Sequence, residues 1–432
     1  MFVISSKNIF GNSLALAQRA GCWIFAGMLL LLAFPQAQAQ STLSGVVLDS
    51  VTRQPLPFGT VFLANTTLGV TTDDAGRFAF ARVPAGTYEV VASYLGYALR
   101  RQVITLTNEP QQLTFRLPPS ANTLGEVVVR PHPNKPEDYQ KFASTFLGST
   151  TFSQQCRIRN PEAVRVEYDA EKNELTATCA DFLTVENQAL GYRIRYYGLD
   201  FRLNFAEGWM SFYGSPVFEP LKARSGRQQQ RWAANRSRAY KGSLPHFLRS
   251  VYDNGVAEAG FRVQRLRRVP NPARARADSL LALMRAQAFS IRALDPARFD
   301  DSLAHLIRVP RQLEYLFSAP LATTDFSNRP PVAPEVLLQF PDLLLVYYDQ
   351  ELADPAYVAF TARNATPDQT LPAGLDKQVS VLHLQQPQVP LQANGQPANP
   401  LALYTEGYWG FEKMGEFLPV DYLPPAQPSR TR

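Results

Sequence analysis

The histidines of this sequence do not form a known metallopeptidase motif. A zinc carboxypeptidase binds its metal through two imidazoles and one carboxylate and leaves a coordination position for water, a set that begins with His-x-x-Glu. No histidine of this chain has glutamate three positions later; the four are His132, His246, His305 and His383. We therefore expect no metal site and no cofactor.

Serine nucleophiles have no sequence signature either. The chain has no Gly-x-Ser-x-Gly motif, and beyond the first 39 residues no serine is followed three positions later by lysine. A dispersed Ser–His–Asp triad stays open, as does a pair of carboxylates acting on a glycosidic bond, because neither has a fixed sequence spacing. We expect a protein that is not an enzyme, with an exported hydrolase as an alternative.

Basic residues concentrate in one stretch. Between Lys222 and Arg276 there are 14 basic side chains against Asp253 and Glu258, a local charge of +12. Such a cluster could bind phosphates, acidic polysaccharide or lipid head groups, with aromatic residues stacking on the ligand. The candidate anion-binding residues are Arg224, Arg227, Arg231, Trp232, Arg236, Arg238, Tyr240 and Lys241. A solvated face, or pairing with acidic residues elsewhere in the chain, explains the same count.

The first 39 residues are typical of an export signal. Lys7 and Arg19 precede an apolar run from Cys22 to Phe34, and Ala37-Gln38-Ala39 offers a small-residue cleavage site. The run is shorter than the roughly 20 residues that cross a bilayer. We predict a mature chain that begins at Gln40 with no transmembrane segment. It would reside in the periplasm, at the outer membrane or outside the cell, where nucleic acid is not an expected partner.

Two cysteines remain after cleavage, Cys156 and Cys179. An oxidising compartment favours a disulfide between them. Val164–Tyr168 and Leu175–Cys179 have the composition of hairpin strands, which could return Cys179 to Cys156. Such a bridge would stabilise the fold by about 3 kcal/mol in the chain-entropy model. The alternative is two separately buried thiols.

Residues 43–117 alternate short β-rich runs with turns, a pattern that predicts a seven-stranded antiparallel sandwich. The runs are Leu43–Leu48, Thr60–Ala64, Gly69–Thr72, Arg77–Phe80, Thr87–Ser93, Ala98–Leu106 and Gln112–Leu117. The turn Asp73-Asp74-Ala75-Gly76 combines an Asx side chain with a glycine that tolerates positive φ. Calcium binding is an alternative for the two aspartates, but no spaced acidic repeat follows them.

The order of motifs in this sandwich resembles the carboxypeptidase regulatory-like domain. The motifs are Ser44-Gly45-Val46-Val47, Pro55-Leu56-Pro57-Phe58, Gly69-Val70-Thr71-Thr72-Asp73, Gly76-Arg77-Phe78, Val83-Pro84-Ala85-Gly86-Thr87-Tyr88 and Tyr94-Leu95-Gly96-Tyr97. The resemblance implies a prealbumin-like (transthyretin-like) fold, grouped with carbohydrate-binding-like folds. Its aromatic residues would either stack on sugars or fill the core; they are Phe58, Tyr88, Tyr94 and Tyr97.

The remainder is expected to be a larger β-rich α+β domain with about three helices. Apolar spacing predicts helices around Tyr139–Phe146, from Leu244 to Val251 after Ser243, and from Asn271-Pro272 to Phe289. Leu124–Val129 is expected to be a strand that leads into a proline-spaced linker. Val336–Tyr348 should divide into two strands at Pro341, and Val379–Leu384 should form another.

The sequence thus predicts a mainly β protein. Its expected parts are a signal at 1–39, the sandwich at 40–117, a linker at 118–137, the larger domain at 138–423 and a disordered tail at 424–432. Motifs of the larger segment, such as Asn187–Tyr192, resemble exported proteins that carry the regulatory-like domain ahead of a β-rich region of unassigned function. We expect a non-catalytic cell-envelope binding or scaffold protein, whose partner is a glycan, an anionic envelope polymer or another envelope protein.

Overall fold

A computed structural model describes residues 40–120, 134–286, 296–331, 335–364 and 376–425. The predicted signal, the predicted strand Leu124–Val129 and residues 426–432 of the predicted tail lie outside this part of the chain. Within it, no helix is both long enough and apolar enough to cross a membrane.

The seven predicted sandwich strands are present and form two facing sheets. The strands are β1 (Gln40–Asp49), β2 (Thr60–Leu63), β3 (Gly69–Thr71), β4 (Arg77–Pro84), β5 (Gly86–Ser93), β6 (Arg100–Leu106) and β7 (Gln111–Leu117). One sheet has the order β4-β1-β7, in which β1 is antiparallel to β4 and parallel to β7. The other has the order β3-β2-β5-β6. Alternate side chains, such as Phe78 and Phe80, point into the core between the sheets.

The larger unit begins with helix α1 (Pro136–Leu147) and a six-stranded sheet. Its strands are β8 (Cys156–Ile158), β9 (Val164–Asp169), β10 (Glu174–Cys179), β11 (Phe182–Asn187), β12 (Tyr192–Asn204) and β13 (Trp209–Pro220). Strand β13 pairs with one edge of β12 along almost its whole length, so β11 and β10 share the other edge. Phe142 and Phe146 of α1 are fully buried against this sheet, in contact with Phe201 and Tyr196.

A second sheet follows, with the order β15-β14-β18-β19-β21. Its strands are β14 (Phe261–Pro270), β15 (Gln312–Pro320), β18 (Leu343–Leu352), β19 (Lys377–Leu384) and β21 (Leu403–Gly407). A small sheet joins β16 (Ser327–Asn328), β17 (Val336–Leu338) and β20 (Val389–Leu391). As predicted, Val336–Tyr348 is divided between β17 and β18.

The three predicted helices are present, and the described residues contain four more. The predicted ones are α1, α3 (Leu244–Tyr252) and α4 (Pro272–Ala286). The others are α2 (Gly226–Tyr240), α5 (Pro296–Arg308), α6 (Pro355–Asn364) and the single turn α7 (Tyr408–Phe411). Helix α3 begins as expected, because the Ser243 hydroxyl accepts the backbone N–H of His246.

The predicted disulfide is not formed, and both cysteines are free thiols. The expected β9–β10 hairpin is present, but it places Cys179 beside Val164, whereas Cys156 lies beside Asn187 of β11. The eight residue-to-residue steps from Cys179 to Asn187 span about 25 Å when extended. A disulfide needs Cα atoms within about 7 Å. Burial raises the pKa of the Cys156 thiol to about 12, so it is an unreactive core residue.

The sandwich is docked on the larger unit through the outer face of its β2 and β5 strands. Phe62 and Val91 are fully buried there and pack with Tyr197 of β12 and Val217 of β13. The ring centroids of Phe62 and Tyr197 are 4.7 Å apart. Beside them, the Ser215 hydroxyl donates a 2.8 Å hydrogen bond to Glu89 Oε2.

Backbone hydrogen bonds fix the same contact at the loop after β2. Asn65 N–H donates to Pro216 O at 2.6 Å, and Phe218 N–H donates to Thr66 O at 2.9 Å. Val420 N–H donates to Asn65 O at 2.7 Å, so the end of the described chain also contacts this loop. The sandwich therefore continues the hydrogen bonding of the larger unit and is not a loosely tethered module.

Replacing Phe62 with alanine tests how much this docking stabilises the protein. We expect Phe62→Ala to lower the free energy of unfolding by about 3–5 kcal/mol, because it leaves a cavity between the two units. Phe58→Ala is the matched control, since Phe58 is 71% exposed and its removal should change stability by under about 1 kcal/mol. Chemical denaturation measures both variants. Equal effects at the two positions would contradict the described docking.

Candidate functional site

The arginine-rich stretch forms helix α2, whose inner face holds the β11–β12 turn. Trp232 Nε1 donates to Gln188 O at 2.8 Å, and Arg236 Nε donates to Leu190 O at 2.7 Å. Gly191 has a φ of +71°, and a Cβ atom there would lie 2.3 Å from the Trp232 ring, so this position requires glycine. These side chains hold the turn in place.

Burial excludes two candidate residues from ligand stacking. Trp232 and Tyr240 are 3% and 8% exposed, because Trp232 packs on the β11–β12 turn and Tyr240 packs against His246 and Tyr422. Arg236 lies 4.2 Å above the Tyr192 ring, and Lys241 Nζ lies 3.6 Å from Glu351 Oε1. Arg238 lies 5.6 Å above the Phe152 ring, so five of the eight candidate residues have structural partners inside the protein.

Four arginines are exposed to solvent, and we name them the arginine stripe: Arg224, Arg227, Arg231 and Arg238. Spacings of four and seven residues place Arg227, Arg231 and Arg238 on one side of α2, which contains no acidic residue, and Arg224 lies just before the helix. Among the described residues, no carboxylate forms an ion pair with Arg224, Arg227 or Arg231. The stripe is therefore a positively charged surface open to solvent.

The second half of the basic stretch does not join this surface. Arg265 and Arg267 both pair with Asp342, at 2.5 and 3.2 Å, and Arg268 pairs with Glu314 and Glu406. The 14 basic residues therefore do not converge on one site, and internal pairing accounts for many of them.

One end of the sandwich carries three exposed apolar side chains, which we name the loop-end patch. Val51, Phe58 and Leu95 are 74%, 71% and 82% exposed. Strand β2 pairs Thr60 with Ser93 of β5, and continuing this register brings Phe58 level with Leu95. The patch lies at the start of β2, whereas the docking loop follows its end.

Phe58 is held in an unfavourable backbone conformation. Its φ is +61°, a left-handed region that costs a bulky residue about 1–2 kcal/mol. The other aromatic candidates differ, since Tyr88, Tyr94 and Tyr97 pack against the sandwich core. Of the four aromatics named from sequence, Phe58 is the one displayed to solvent.

A cluster of carboxyl groups lines a small cavity where the two large sheets meet. The four acidic residues are Glu351, Asp354, Glu412 and Glu416, and the volume is about 10 Å³, room for about one water molecule. The Thr150 hydroxyl donates to Glu416 Oε1, and Thr151 N–H donates to Asp354 Oδ2 at 3.1 Å. The cavity as described has no room for a sugar ring or a peptide.

Burial changes the protonation of this cluster. It raises the pKa of Glu416 to about 7 and raises the pKa of Glu412 well above its ordinary value. Burial also lowers the pKa of neighbouring Lys413 to about 8. Sequence patterns did not identify this cluster, because its members come from separate segments that meet only in the fold.

The described histidines lie on three different elements: His246 on α3, His305 on α5 and His383 on β19. Burial lowers the pKa of His246 to about 4, and its Nδ1 accepts the backbone N–H of Gly242. His383 Nε2 lies 2.9 Å from Glu406 Oε1 in an open groove of about 390 Å³. Within the described ranges, no three His, Cys, Asp or Glu residues are placed to hold a metal ion. His132 lies outside the described residues.

A family model confirms the resemblance of the sandwich. Residues 43–129 match the CarboxypepD_reg-like domain, so the chain contains such a domain in its N-terminal part. A search of curated proteins found no match.

Solved structures give only remote similarities. A pilus 2b backbone protein of group B streptococcus is 18% identical, with 19% of this chain and 42% of that chain covered and a TM-score of 0.17. A candidate carbohydrate-binding protein from Bacteroides uniformis is 13% identical over 41% and 78% of the chains, with a TM-score of 0.17. A candidate membrane-associated protein of unknown function from Bacteroides fragilis is 10% identical over 72% and 88%, with a TM-score of 0.16. TM-scores this low do not establish a shared overall fold.

The acidic cluster predicts an unusual dependence of stability on pH. A carboxyl whose pKa rises on folding stabilises the protein when protonated, and this contribution is lost as pH rises from about 4.5 to about 7. Glu416→Gln keeps an acceptor for Thr150 and removes the charge. We expect it to raise the free energy of unfolding at pH 8 by about 2–3 kcal/mol and to have little effect at pH 4.5.

Thermal unfolding of both proteins across this pH range measures the difference. Glu167→Gln is the control, because Glu167 is an exposed partner of Arg165 and should not alter the pH profile. A wild-type protein that gains stability between pH 5 and pH 7, with Glu416→Gln following it in parallel, would rule out the proton-binding role of Glu416.

Proposed function

We propose that this is an exported, non-catalytic binding or scaffold protein of the cell envelope. The sandwich, residues 40–117, is fixed on the larger domain, residues 138–423, and presents its loop-end patch to a partner. The CarboxypepD_reg-like domain fits a non-catalytic binding role. The predicted export signal supports the location.

The solvent exposure of the Phe58 side chain is the main observation that supports this proposal. An aromatic side chain that is 71% exposed leaves its apolar area in water, and the positive φ of Phe58 adds backbone strain. Neither the exposed apolar area nor the backbone strain stabilises the isolated protein. Both are explained if the ring and Leu95 are buried when the partner binds, since aromatic anchors contribute strongly to protein and sugar recognition.

The docking at the opposite end of β2 supports the same role. Because loop 64–68 is bonded to the larger unit, the patch is held in a fixed orientation. A preorganised surface loses less conformational entropy when it binds. The larger unit would then act as the platform that positions the patch.

Binding to isolated cell envelopes tests the proposal. The mature protein should co-sediment with envelopes of its source cell, and Phe58→Asn should weaken this binding by about tenfold or more through loss of the buried ring. Asparagine tolerates the left-handed region, so the variant should be at least as stable as the wild type. Val103→Ser is the matched control, because Val103 is 69% exposed on β6 away from the patch. Unchanged binding by Phe58→Asn would reject the loop-end patch.

A second candidate function is recognition of an anionic envelope polymer by the arginine stripe. It is favoured by the exposed guanidinium groups of Arg224, Arg227 and Arg231, which have no ion-pair partner among the described residues. Charges that share one helix face add their potentials and attract polyanions. Arg238 extends the same row toward the acidic cavity.

Salt and substitution separate this function from the first. Binding of the mature protein to an acidic polysaccharide such as polygalacturonate should weaken steeply between about 0.05 and 0.5 M salt. The double variant Arg227→Gln/Arg231→Gln should lose about tenfold in affinity at the lower salt concentration. Arg165→Gln removes an exposed arginine that already pairs with Glu167 and should leave affinity unchanged. Salt-independent binding would refute the electrostatic site.

A further inference from the structure

The sandwich covers part of the outer face of the six-stranded sheet, around Tyr197 and Val217. Beyond the register shift between Tyr197 and Asp200, this face is open to solvent. Alternate residues of β9, β10, β12 and β13 point outward there, on the side opposite α1. We name this surface the outer sheet face.

The antiparallel register arranges the outer sheet face in three rows that cross the four strands, because residues directly opposite each other lie on the same face. In strand order, the first row is Arg165, Thr178, Asp200 and Tyr213, the second is Glu167, Thr176, Arg202 and Ser211, and the third is Asp169, Glu174, Asn204 and Trp209. None of these twelve side chains is buried. The face therefore presents many hydrogen-bonding groups to solvent.

Most charges of the outer sheet face are compensated by neighbouring side chains. The ion pairs are Arg165–Glu167, Arg202–Asp200 and Lys172–Asp169, with N···O distances of 2.5, 3.3 and 3.1 Å. Glu174 is the acidic residue of the face outside these pairs. The surface therefore lacks the strong positive potential that would attract a polyanion, in contrast to the arginine stripe.

Two aromatic rings lie along one edge of the outer sheet face, on strand β13. Tyr213 is 37% exposed, and Trp209 is partly exposed. Trp209 Nε1 donates to Glu207 Oε2 at 2.6 Å, and the Tyr213 hydroxyl donates to Glu89 Oε1 at 3.3 Å. These bonds hold both rings in place. Four residues along a strand separate them by about 13 Å, a distance that a short oligosaccharide can span.

The combination of aromatic rings and hydrogen-bonding groups suits a sugar chain. A sugar ring has an apolar face of C–H groups and a rim of hydroxyl groups, so it can use both kinds of contact at once. A protein partner would favour a more apolar centre, with few charged residues, in the contact surface. A polyanion would favour unpaired basic residues. The outer sheet face has neither feature.

We propose that the outer sheet face binds a neutral polysaccharide, with Trp209 and Tyr213 stacking on sugar rings and the neighbouring polar side chains bonding to hydroxyl groups. The rigid strands and the anchored rings reduce the conformational entropy lost on binding. This site shares no residue with the loop-end patch or with the arginine stripe.

The fluorescence of Trp209 tests the proposal directly. The predicted mature protein contains three tryptophans, and the other two, Trp232 and Trp409, are only 3% and 6% exposed. We would titrate this protein with four soluble neutral polysaccharides: β-glucan, galactomannan, arabinoxylan and dextran. At least one of them should shift the tryptophan emission to shorter wavelength, because the sugar removes water from the ring. Trp209→Phe should abolish this shift.

Substitutions on and off the face locate the site. In affinity gel electrophoresis with the same polysaccharide, Trp209→Ala should weaken binding about tenfold or more. Ser211→Lys should weaken it similarly, because it places a long charged side chain between the two rings at an exposed position that the fold does not need. Phe205→Ala is the matched control: this ring is 40% exposed on the same hairpin but lies near Lys141 of α1, on the opposite side of the sheet. Its affinity should be unchanged.

Four outcomes would overturn the proposal. The first is the absence of binding to all four polysaccharides. The second is an equal loss of binding in Trp209→Ala and Phe205→Ala. The third is binding that weakens steeply between about 0.05 and 0.5 M salt, since charge would then dominate. The fourth is loss of binding in Phe58→Asn, which would place the sugar at the loop-end patch. Failure of the first three kinds leaves the proposed role of that patch unaffected.

Discussion

The burial of strand β12 on both faces is the constraint on which the architecture depends. Tyr196 and Phe201 pack against helix α1 on one side, while Tyr197 packs against Phe62 of the sandwich on the other. A strand buried on both sides needs apolar residues at consecutive positions, and Tyr196-Tyr197 provides them. Consecutive side chains of a regular strand point to opposite faces, so these two tyrosines serve two different cores.

An irregularity in β12 makes this arrangement possible. The register with β13 shifts between Tyr197 and Asp200, and Gly198 within the shift has a φ of +60°. A bulge bends a strand and re-aims its side chains. Arg101 of the sandwich approaches this bend, where a Cβ atom on residue 198 would lie 2.2 Å from its guanidinium group. The glycine thus permits both the bend and the close approach of the sandwich.

The arginines and the buried carboxyl groups of the larger unit differ in how their charges are compensated. Several arginines have partners within the fold: Arg236 of α2 donates to turn carbonyls, and Arg265 and Arg267 of the second sheet share Asp342. The acidic cluster is the opposite case, because burial without enough cations shifts its carboxyls toward the neutral form. The surfaces that we propose for external partners, the arginine stripe, the loop-end patch and the outer sheet face, lie at the periphery.

Local sequence patterns were enough to predict many of the secondary-structure elements. Turn residues and alternating runs placed the seven sandwich strands, Ser243 marked the start of α3, and Pro341 divided β17 from β18, because these features depend on neighbours along the chain. The side-chain partners across different elements could not be predicted in this way. Sequence could not show that β11 separates Cys179 from Cys156, that Trp232 faces inward, or that Glu351 meets Glu416, because the partners of these side chains are set by strand order and by segments distant in sequence. Burial and charge pairing depend on three-dimensional neighbours, which local periodicity does not encode.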